Sequence, residues 1–493
     1  MGEQNGFDVL ARKRQQAFSG GGKDKTESQH AQSKLTARER ITKLLDDQSF
    51  VETDAFLQHA GAEQSAPGEG VVTGYGTIDE RGVYVIAQDF TVLGGAMSAM
   101  HAAKICKTLE LAGKTGLPAV LMLDSMGVRL GEGACAMNGF GSIFAKMAQL
   151  SGVVPIITMI CGQCAGTAAF FAPLSDFVIM TRGLGGIFTA APGAFNKIGE
   201  EPHTAKIGGA SAMAKQGVAH FECASEDEAF YSARKLLSYL PDNNLVEAPD
   251  EDCTDDLNRL IENYTGGFDV KNLISSAADN GVFFETQAGF AAGIVTGFAR
   301  FNGRSVGVVA SAGAELNADA CGKATGFVGF CDAFGIPVVT FVDTPGFELS
   351  ENQSGIIRAG AGLINAYAEA TVPLITVITG KAIGGGYVAM ASRALGADMV
   401  FSWPDAQISC LSAAASAIIM PDEESSGDPV TDIKAAAGNF ANTAAAPWDA
   451  AASGYIDEVI YPGETRQRIV GALEFAIGKR ENRLPKKHGA RLR

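Results

Sequence analysis

This 493-residue chain has little of what marks a secreted, membrane-spanning, metal-binding or nucleic-acid-binding protein. Aromatic residues make up 8% and charged residues 19%, and there are only 17 prolines. Glycine is plentiful at 60 but follows no Gly-X-Y period, which excludes a collagen-like chain. Basic residues are outnumbered 39 to 55, giving a net charge of −16. The positive field that phosphate binding needs is missing, so neither nucleic acid nor an anionic lipid surface is an expected partner. Nine widely spaced cysteines, an odd number, argue against a disulfide framework and for a reducing compartment, the cytoplasm. Met1 to Gln16 has no apolar stretch of signal-peptide type, and the start lacks the Ser or Thr of a myristoylation motif.

Motifs of nucleotide and metal chemistry are absent as well. There is no Walker-type loop and no GxGxxG followed by an acid, so ATP and NAD are not expected cofactors. The six histidines (His30, His59, His101, His203, His220 and His488) are dispersed without metal-ligand spacing. None sits with a serine in a nucleophile-elbow motif. Cys161-x-x-Cys164 has no second pair to complete a zinc ribbon.

What is present is apolar material, 46% of the chain, with a mean hydropathy of +0.11, enough for large cores. No charge occurs between Lys146 and Asp176, but Pro155, Gly162, Gly166 and Pro173 punctuate that run. It reads as a buried strand, a glycine turn and a buried helix rather than a membrane span. Residues 1–33 are polar, with the cluster Gly20-Gly21-Gly22, and are expected to be a flexible segment. Thr36 and Glu39 form a capping-box pattern, so a helix is expected to start there. Beyond it strands and helices alternate, as in an α/β layered domain. The acidic stretch 241–265 reads as a linker between domains at 34–240 and 266–493.

The two domains echo one another. TGYGTIDERGVYVIAQ returns as TGFARFNGRSVGVVAS, and LPAVLMLDSMG as IPVVTFVDTPG. VVPIITMICGQCAG returns as TVPLITVITGKAIGGG, and LSDFVIMT as GADMVFSW. Four ordered echoes at roughly 220 residues indicate one fold duplicated, with a cleft expected between halves. Two glycine turns fall at equivalent places, Cys161–Ala168 and Thr379–Tyr387. Each follows a buried strand and precedes a small-residue helical pattern. Such a turn aims backbone N–H groups at a ligand and can form an oxyanion hole. Close helix–strand packing is the plainer reading of one such turn; two in register favour the hole. The partner of Cys161 and Cys164 carries Gly380 and Lys381, so glycine is the shared feature and a redox pair is disfavoured. Asp124 and Asp343 end equivalent strands and are expected to fix loops rather than act as bases. Arg129 with Glu132 reads as an ion pair, and the tail KKHGARLR as solvated.

The chain resembles the biotin-dependent acyl-CoA carboxyltransferases: β subunits of propionyl-CoA and acetyl-CoA carboxylases, and α subunits of sodium-pumping methylmalonyl-CoA decarboxylases. The likeness runs from about Gln29 to the C-terminus through QHAQSKLTARERITKLLDDQSFVE, GEGVVTGYG, AQDFTVLGG, KATGFVGFCDAFGIPVVTFVDTPGF and AYAEATVPLITVITGKAIGGGY. It implies an α/β fold of two duplicated crotonase-like domains, each a ββα spiral, in a homo-oligomer, usually a hexamer. It implies an acyl-CoA substrate, with coenzyme A as part of it, and biotin carried on a separate biotin carboxyl carrier protein. A biotin carboxylase subunit or a membrane sodium-pump decarboxylase subunit would complete the complex. The resemblance maps two oxyanion holes onto Gly166–Thr167 and Gly385–Gly386, without fixing which serves biotin and which the thioester. It implies substrate contacts at Gly94, Gly95, Ala165, Tyr387 and Val388, and biotin contacts at Gly355 and Ile356. Several positions depart from the family pattern. Thr167 replaces the second glycine of the first hole. The motif DSGGAR reads Asp124-Ser125-Met126-Gly127-Val128-Arg129. Val388 stands where an acyl-specificity Asp is usual, and Ile356–Ala361 lacks the His of IIRHGA. The resemblance therefore implies a carboxyltransferase subunit for a short acyl-CoA of propionyl-/methylmalonyl type. A crotonase-like acyl-CoA enzyme without biotin and a catalytically weakened structural subunit are the alternatives.

Overall fold

In a computed structural model the described residues are 6–58, 67–191, 204–262, 264, 267–419, 429–481 and 484–486. His59, His203 and His488, and the tail beyond Lys486, lie outside them. The chain forms two compact units, residues 1–246 and 247–493.

Unit 1 contains helices α1 (Gly6–Phe18), α2 (Lys23–Ala31), α3 (Ala37–Leu44), α4 (Ala99–Thr115), α5 (Ala134–Leu150), α6 (Thr204–Gly208), α7 (Ala210–Lys215) and α8 (Glu226–Tyr239). Its strands are β1 (Val51–Thr53), β2 (Val71–Ile78), β3 (Arg81–Gln88), β4 (Ala119–Ser125), β5 (Ile156–Ala165), β6 (Phe177–Thr181), β7 (Gly186–Phe188) and β8 (Phe221–Cys223). The sheet order is β1-β2-β3-β4-β5-β6-β8, with β7 also on β5. The β1–β3 meander is antiparallel and the rest is parallel.

Unit 2 repeats this plan. Its helices are α9 (Val270–Ala277), α10 (Ala318–Ala333), α11 (Gln353–Glu369), α12 (Gly384–Ala389), α13 (Ala413–Ile419), α14 (Pro429–Asn442), α15 (Pro447–Ala452) and α16 (Thr465–Ala476). Its strands are β9 (Phe283–Thr286), β10 (Ile294–Phe301), β11 (Arg304–Ser311), β12 (Val338–Thr344), β13 (Leu374–Ile383), β14 (Met399–Ser402), β15 (Gln407–Ser409) and β16 (Glu458–Val459). The order β9-β10-β11-β12-β13-β14-β16, with β15 on β13, matches unit 1 strand for strand.

The sequence explains these elements locally. All of β4 is buried, as a parallel strand covered on both faces should be. On α4, Ile105, Leu109 and Ala112 recur at helical spacing and are buried with Phe140, Ile143 and Met147 of α5. Each such large side chain contributes about 1.5–3 kcal/mol on burial. Ser98 caps α4 by accepting from His101 N–H. Thr36 and Glu39 form the capping box of α3 as expected. The uncharged run resolves into the end of α5, strand β5 and a 3-10 turn, Gly166–Phe171, so its last part is a single tight turn rather than a full helix. Among the described residues no helix is long and apolar enough to cross a membrane.

Two expectations differ from the structure. The segment expected to be flexible holds α1 and α2, and Gly21 N–H donates to Thr91 Oγ1 at 3.0 Å between them. The acidic stretch is also no free linker, because its side chains are used on both sides of the unit boundary. Asp242 pairs with Arg81, and Asn243 Nδ2 donates to Gly116 O (2.8 Å) in unit 1. Asp255 takes a bidentate bond from Arg259 in unit 2.

Candidate active site

The two glycine turns sit at the C-terminal ends of β5 and β13, ten-residue strands that hold equivalent places in the two sheets. The first residue of each turn is left-handed: Gly166 has φ 67° and Gly384 φ 55°. Only glycine adopts that geometry without strain. Four residues earlier in each strand, glycine is required by crowding. A Cβ on Gly162 would lie 1.9 Å from Asp124 Oδ1, and one on Gly380 2.4 Å from Asp343 Oδ1. The first N–H groups of a helical turn have no intrahelical acceptor. Gly166, Thr167 and Gly384 are partly exposed and Gly385 is exposed, so their N–H donors can meet a ligand oxygen.

The fold sets the register between the turns. Gly166–Thr167 corresponds to Gly384–Gly385, one residue earlier than the pair read from sequence, so Gly384 joins the candidate donors. Gly386 lies deeper: it is buried, and a Cβ there would come within 2.9 Å of Gly346 Cα. Three consecutive glycines hide this register in the sequence; the equal strand lengths reveal it.

Gly94 and Gly95 pack on the end of β4, and Ser125 there pairs with Cys164 of β5, just before Ala165, Gly166 and Thr167. Gly95 O accepts from Ser125 Oγ (2.7 Å), and Gly94 O accepts from Met126 N–H (2.9 Å). A Cβ on Gly127 would lie 3.3 Å from Ala165 O. Thr167 Oγ1 approaches Met137 Sδ at 4.0 Å. In unit 2, Tyr387 and Val388 lie on α12 beside the second turn. Burial pushes the Tyr387 hydroxyl above its ordinary pKa, and Val388 is exposed. Gly355 and Ile356 sit in the first turn of α11, which packs on α12. Their N–H groups are already engaged: Gly355 donates to Asn352 Oδ1 (3.2 Å) and Ile356 to Asn352 O (3.1 Å). Any contact they make with a ligand is therefore by packing.

Asp124 is a structural anchor. It is fully buried and accepts from Lys34 Nζ (2.6 Å), Arg40 Nη1 (3.0 Å) and Gln29 Nε2 (3.0 Å). Arg40 also donates to Glu226 Oε1 (2.5 Å) and to Cys161 O on β5 (3.3 Å). This network clamps the N-terminal arm onto the strand that ends at Gly166. Sequence reasoning missed it, although Gln29, Lys34 and Arg40 all lie in the QHAQSKLTARER motif. Asp343 is partly exposed and accepts from Lys381 N–H at 2.8 Å. Both carboxylates fix loops, as expected for strand-end aspartates.

Arg129 ion-pairs with Glu69 (2.8 Å) and Glu132 (3.3 Å), and Glu69 also accepts from Ser98 Oγ (2.9 Å). His101, fully buried, has Nδ1 2.9 Å from Glu69 O, and burial pushes its pKa down to about 3. Burial pushes Cys161 and Cys164 up to about 12, so neither is a thiolate and neither is a redox nucleophile at neutral pH.

Equivalent glycine turns on duplicated ββα sheets are an arrangement that an enzyme stabilising oxyanions through backbone donors can use. The chain belongs to the carboxyl transferase domain family, whose pattern matches residues 28–491. It is 45% identical over 508 residues to the methylmalonyl-CoA decarboxylase subunit alpha of Veillonella parvula, covering 99% of this chain and 98% of that one. It is 44% identical over 499 residues to a putative propionyl-CoA carboxylase beta chain of Bacillus subtilis (strain 168), covering 98% of each. A solved transcarboxylase 12S structure, described as a hexamer with hydrolysed methylmalonyl-coenzyme A bound, superposes with TM-score 0.94 at 41% identity. The match covers 99% of this chain and 98% of that one. The duplicated crotonase-like fold expected from the sequence is the fold observed.

Proposed function

We propose that this chain is a carboxyltransferase subunit that moves a carboxyl group between biotin on a carrier protein and the α-carbon of a short acyl-CoA of propionyl-/methylmalonyl type. The observation that carries this reading is the pair of equivalent strand-end turns, each with accessible N–H donors, in a chain similar end to end to enzymes of that chemistry. Biotin, when bound, supplies the ring nitrogen that takes or gives the carboxyl group.

The chain's own part is electrostatic. Breaking the bond from the α-carbon to its carboxyl group or proton sends an electron pair to the thioester oxygen, giving an enolate, and forming either bond draws that pair back to carbon. N–H donors fixed at 166–167 or 384–386 stabilise that charge, and the other turn holds the second carbonyl oxygen. Asp124 cannot serve as the α-proton base, because its oxygens are buried and engaged by three donors. Gly94, Gly95 and Ala165 would line the first turn, and Tyr387 and Val388 the second. Gly355 and Ile356 would contact biotin through their surface. The glycine-walled second turn fits a flat ureido ring, since Gly384 and Gly385 present no side chain there.

The proposed partners are a biotin carboxyl carrier protein and either a biotin carboxylase subunit or a membrane sodium-pump decarboxylase subunit. Six copies of this chain would form the core, as in the related transcarboxylase. Nine unpaired cysteines support placement in the cytoplasm.

The test follows loss of the carboxyl group from methylmalonyl-CoA with excess free biotin. Thr167→Pro and Gly385→Pro each remove one donor at a first-turn position where proline is tolerated. Each is expected to lower kcat by about 10²–10³-fold, the usual cost of one oxyanion donor. Turnover that ignores biotin, or that survives both substitutions, would refute the reading.

A further inference from the structure

Large exposed apolar side chains belong to the segments of the first turn: Met126 and Leu130 follow β4, Met137 approaches Thr167, and Phe170 lies in the turn that Gly166 opens. Single exposed apolar residues are ordinary, but a cluster on one edge marks a contact site. Met126 is the central one. It is 71% exposed, and its side chain covers Gly94 so closely that a Cβ built there would lie 2.5 Å from its Sδ. The next residue, Gly127, packs against Ala165 O, immediately before Gly166. Met126 therefore covers Gly94 and is next in sequence to the glycine that approaches Ala165. Met137 faces Thr167 from α5. Met126 over Gly94 and Met137 beside Thr167 thus put apolar side chains next to the loops of the candidate donors.

The methionine is particular to unit 1 of this chain. In the repeat, Asp124-Ser125-Met126-Gly127 corresponds to Asp343-Thr344-Pro345-Gly346, so a compact proline replaces the methionine. The motif DSGGAR has glycine at the same place. A four-atom apolar side chain therefore fills space that those residues leave open.

We propose that Met126 is a specificity-determining residue: it forms the wall of the acyl pocket at the first turn, favours a methyl or ethyl substituent on the α-carbon, and rejects longer chains. The inference rests on the carboxyl-transfer reading and assigns the thioester to the turn at Gly166. Methionine is flexible and suits an apolar wall that adapts to small changes in ligand shape. One methylene of pocket space is worth about 10–200-fold in selectivity, so a whole side chain is a large lever.

The experiment compares kcat/KM for methylmalonyl-, ethylmalonyl- and butylmalonyl-CoA, with free biotin as acceptor, in wild type, Met126→Ala and Met126→Phe. Dissociation constants for propionyl-CoA and hexanoyl-CoA are measured in parallel. Because Met126 is exposed, neither substitution threatens the core. Met126→Ala should raise the butyl-to-methyl ratio at least tenfold, and Met126→Phe should lower the ethyl-to-methyl ratio. An active enzyme whose ratios are unchanged in both variants overturns the proposal. If wild type transfers no carboxyl group, binding decides. A tenfold shift toward hexanoyl-CoA in Met126→Ala would support the wall and refute the transfer reading. An unchanged binding preference, or no binding of either thioester, would refute the wall.

Discussion

Replacing Arg40 by methionine is expected to cost unit 1 about 3–5 kcal/mol, the usual penalty for stranding one partner of a buried ion network. The structure shows why the full penalty applies. Arg40 is completely buried and, among the described residues, is the group joining Asp124 to Glu226, with bonds to both and to Cys161 O. Burial by itself opposes the guanidinium charge, yet Asp124 and Glu226 hold its pKa above the ordinary value. Without it, two buried carboxylates face one cation, Lys34. Asp124 keeps Lys34 and Gln29, but Glu226 keeps only Leu35 N–H at 2.9 Å among the bonds of this network. Methionine fills much of the arginine's volume, so the loss is electrostatic rather than a cavity. At about 2–4 °C per kcal/mol for a unit of this size, the melting temperature should fall by about 6–20 °C. The assay is thermal unfolding by circular dichroism at low protein concentration, with Arg40→Lys as the charge-preserving control. Lysine keeps the charge but cannot make the three directed bonds, so it should fall between the two. A double-mutant cycle with Asp124→Asn should show non-additive losses. A methionine variant that melts within about 2 °C of wild type would refute the claim that this network holds the arm to β5.

Other consequences are open to simpler tests. His101 binds its proton only below about pH 3 when folded, whereas an unfolded histidine binds it below about 6.5. Between those values the unfolded state holds more protons, so stability falls as pH drops, by about 1.4 kcal/mol per unit. In urea titrations at pH 6 and pH 5, His101→Gln should lose that part of the slope; a variant with the wild-type slope would contradict it. Thiol labelling of the native protein should be fast only at Cys135 and Cys410, the exposed pair, and absent at buried Cys161, Cys164 and Cys331. Burial raises the pKa of all three. Rapid labelling of Cys161 or Cys164, read by peptide mass mapping, would revive the redox reading.

Local signals in the sequence carried through to the structure, and long-range ones did not. The capping box at Thr36 depends on residues a few positions apart, and it stands where the pattern put it. The four echoes announced two sheets of equal strand order because buried strands keep their apolar runs. Helices α1 and α2 were hidden for a different reason. Lys23–Ala31 has almost no apolar face, and its one buried residue, Gln29, is held by Asp124, 95 positions away. Nothing near Gln29 in the sequence reveals that partner. The site was legible as two glycine turns, but not its register at Gly384. Met126 was visible only as a departure from a motif until the geometry set that side chain over Gly94.

The clamp on Asp124 also has a consequence for how the chain is made. Arg40 reaches Asp124 across 84 residues and Glu226 across 186. At about 5–20 residues per second of synthesis, the arm waits roughly 10–40 s after translation of Arg40 before Glu226 exists. Throughout that time Arg40 lacks a full set of partners, and the clamp on β5 is incomplete. The arm is thus translated before its partners and completes its docking only after them. Asp343 in unit 2 meets Lys381 N–H after only 38 residues and has no such delay. A chain stopped before Glu226 lacks one of the two carboxylates that hold Arg40, so the arm gains its last ion pair only when unit 1 is nearly complete.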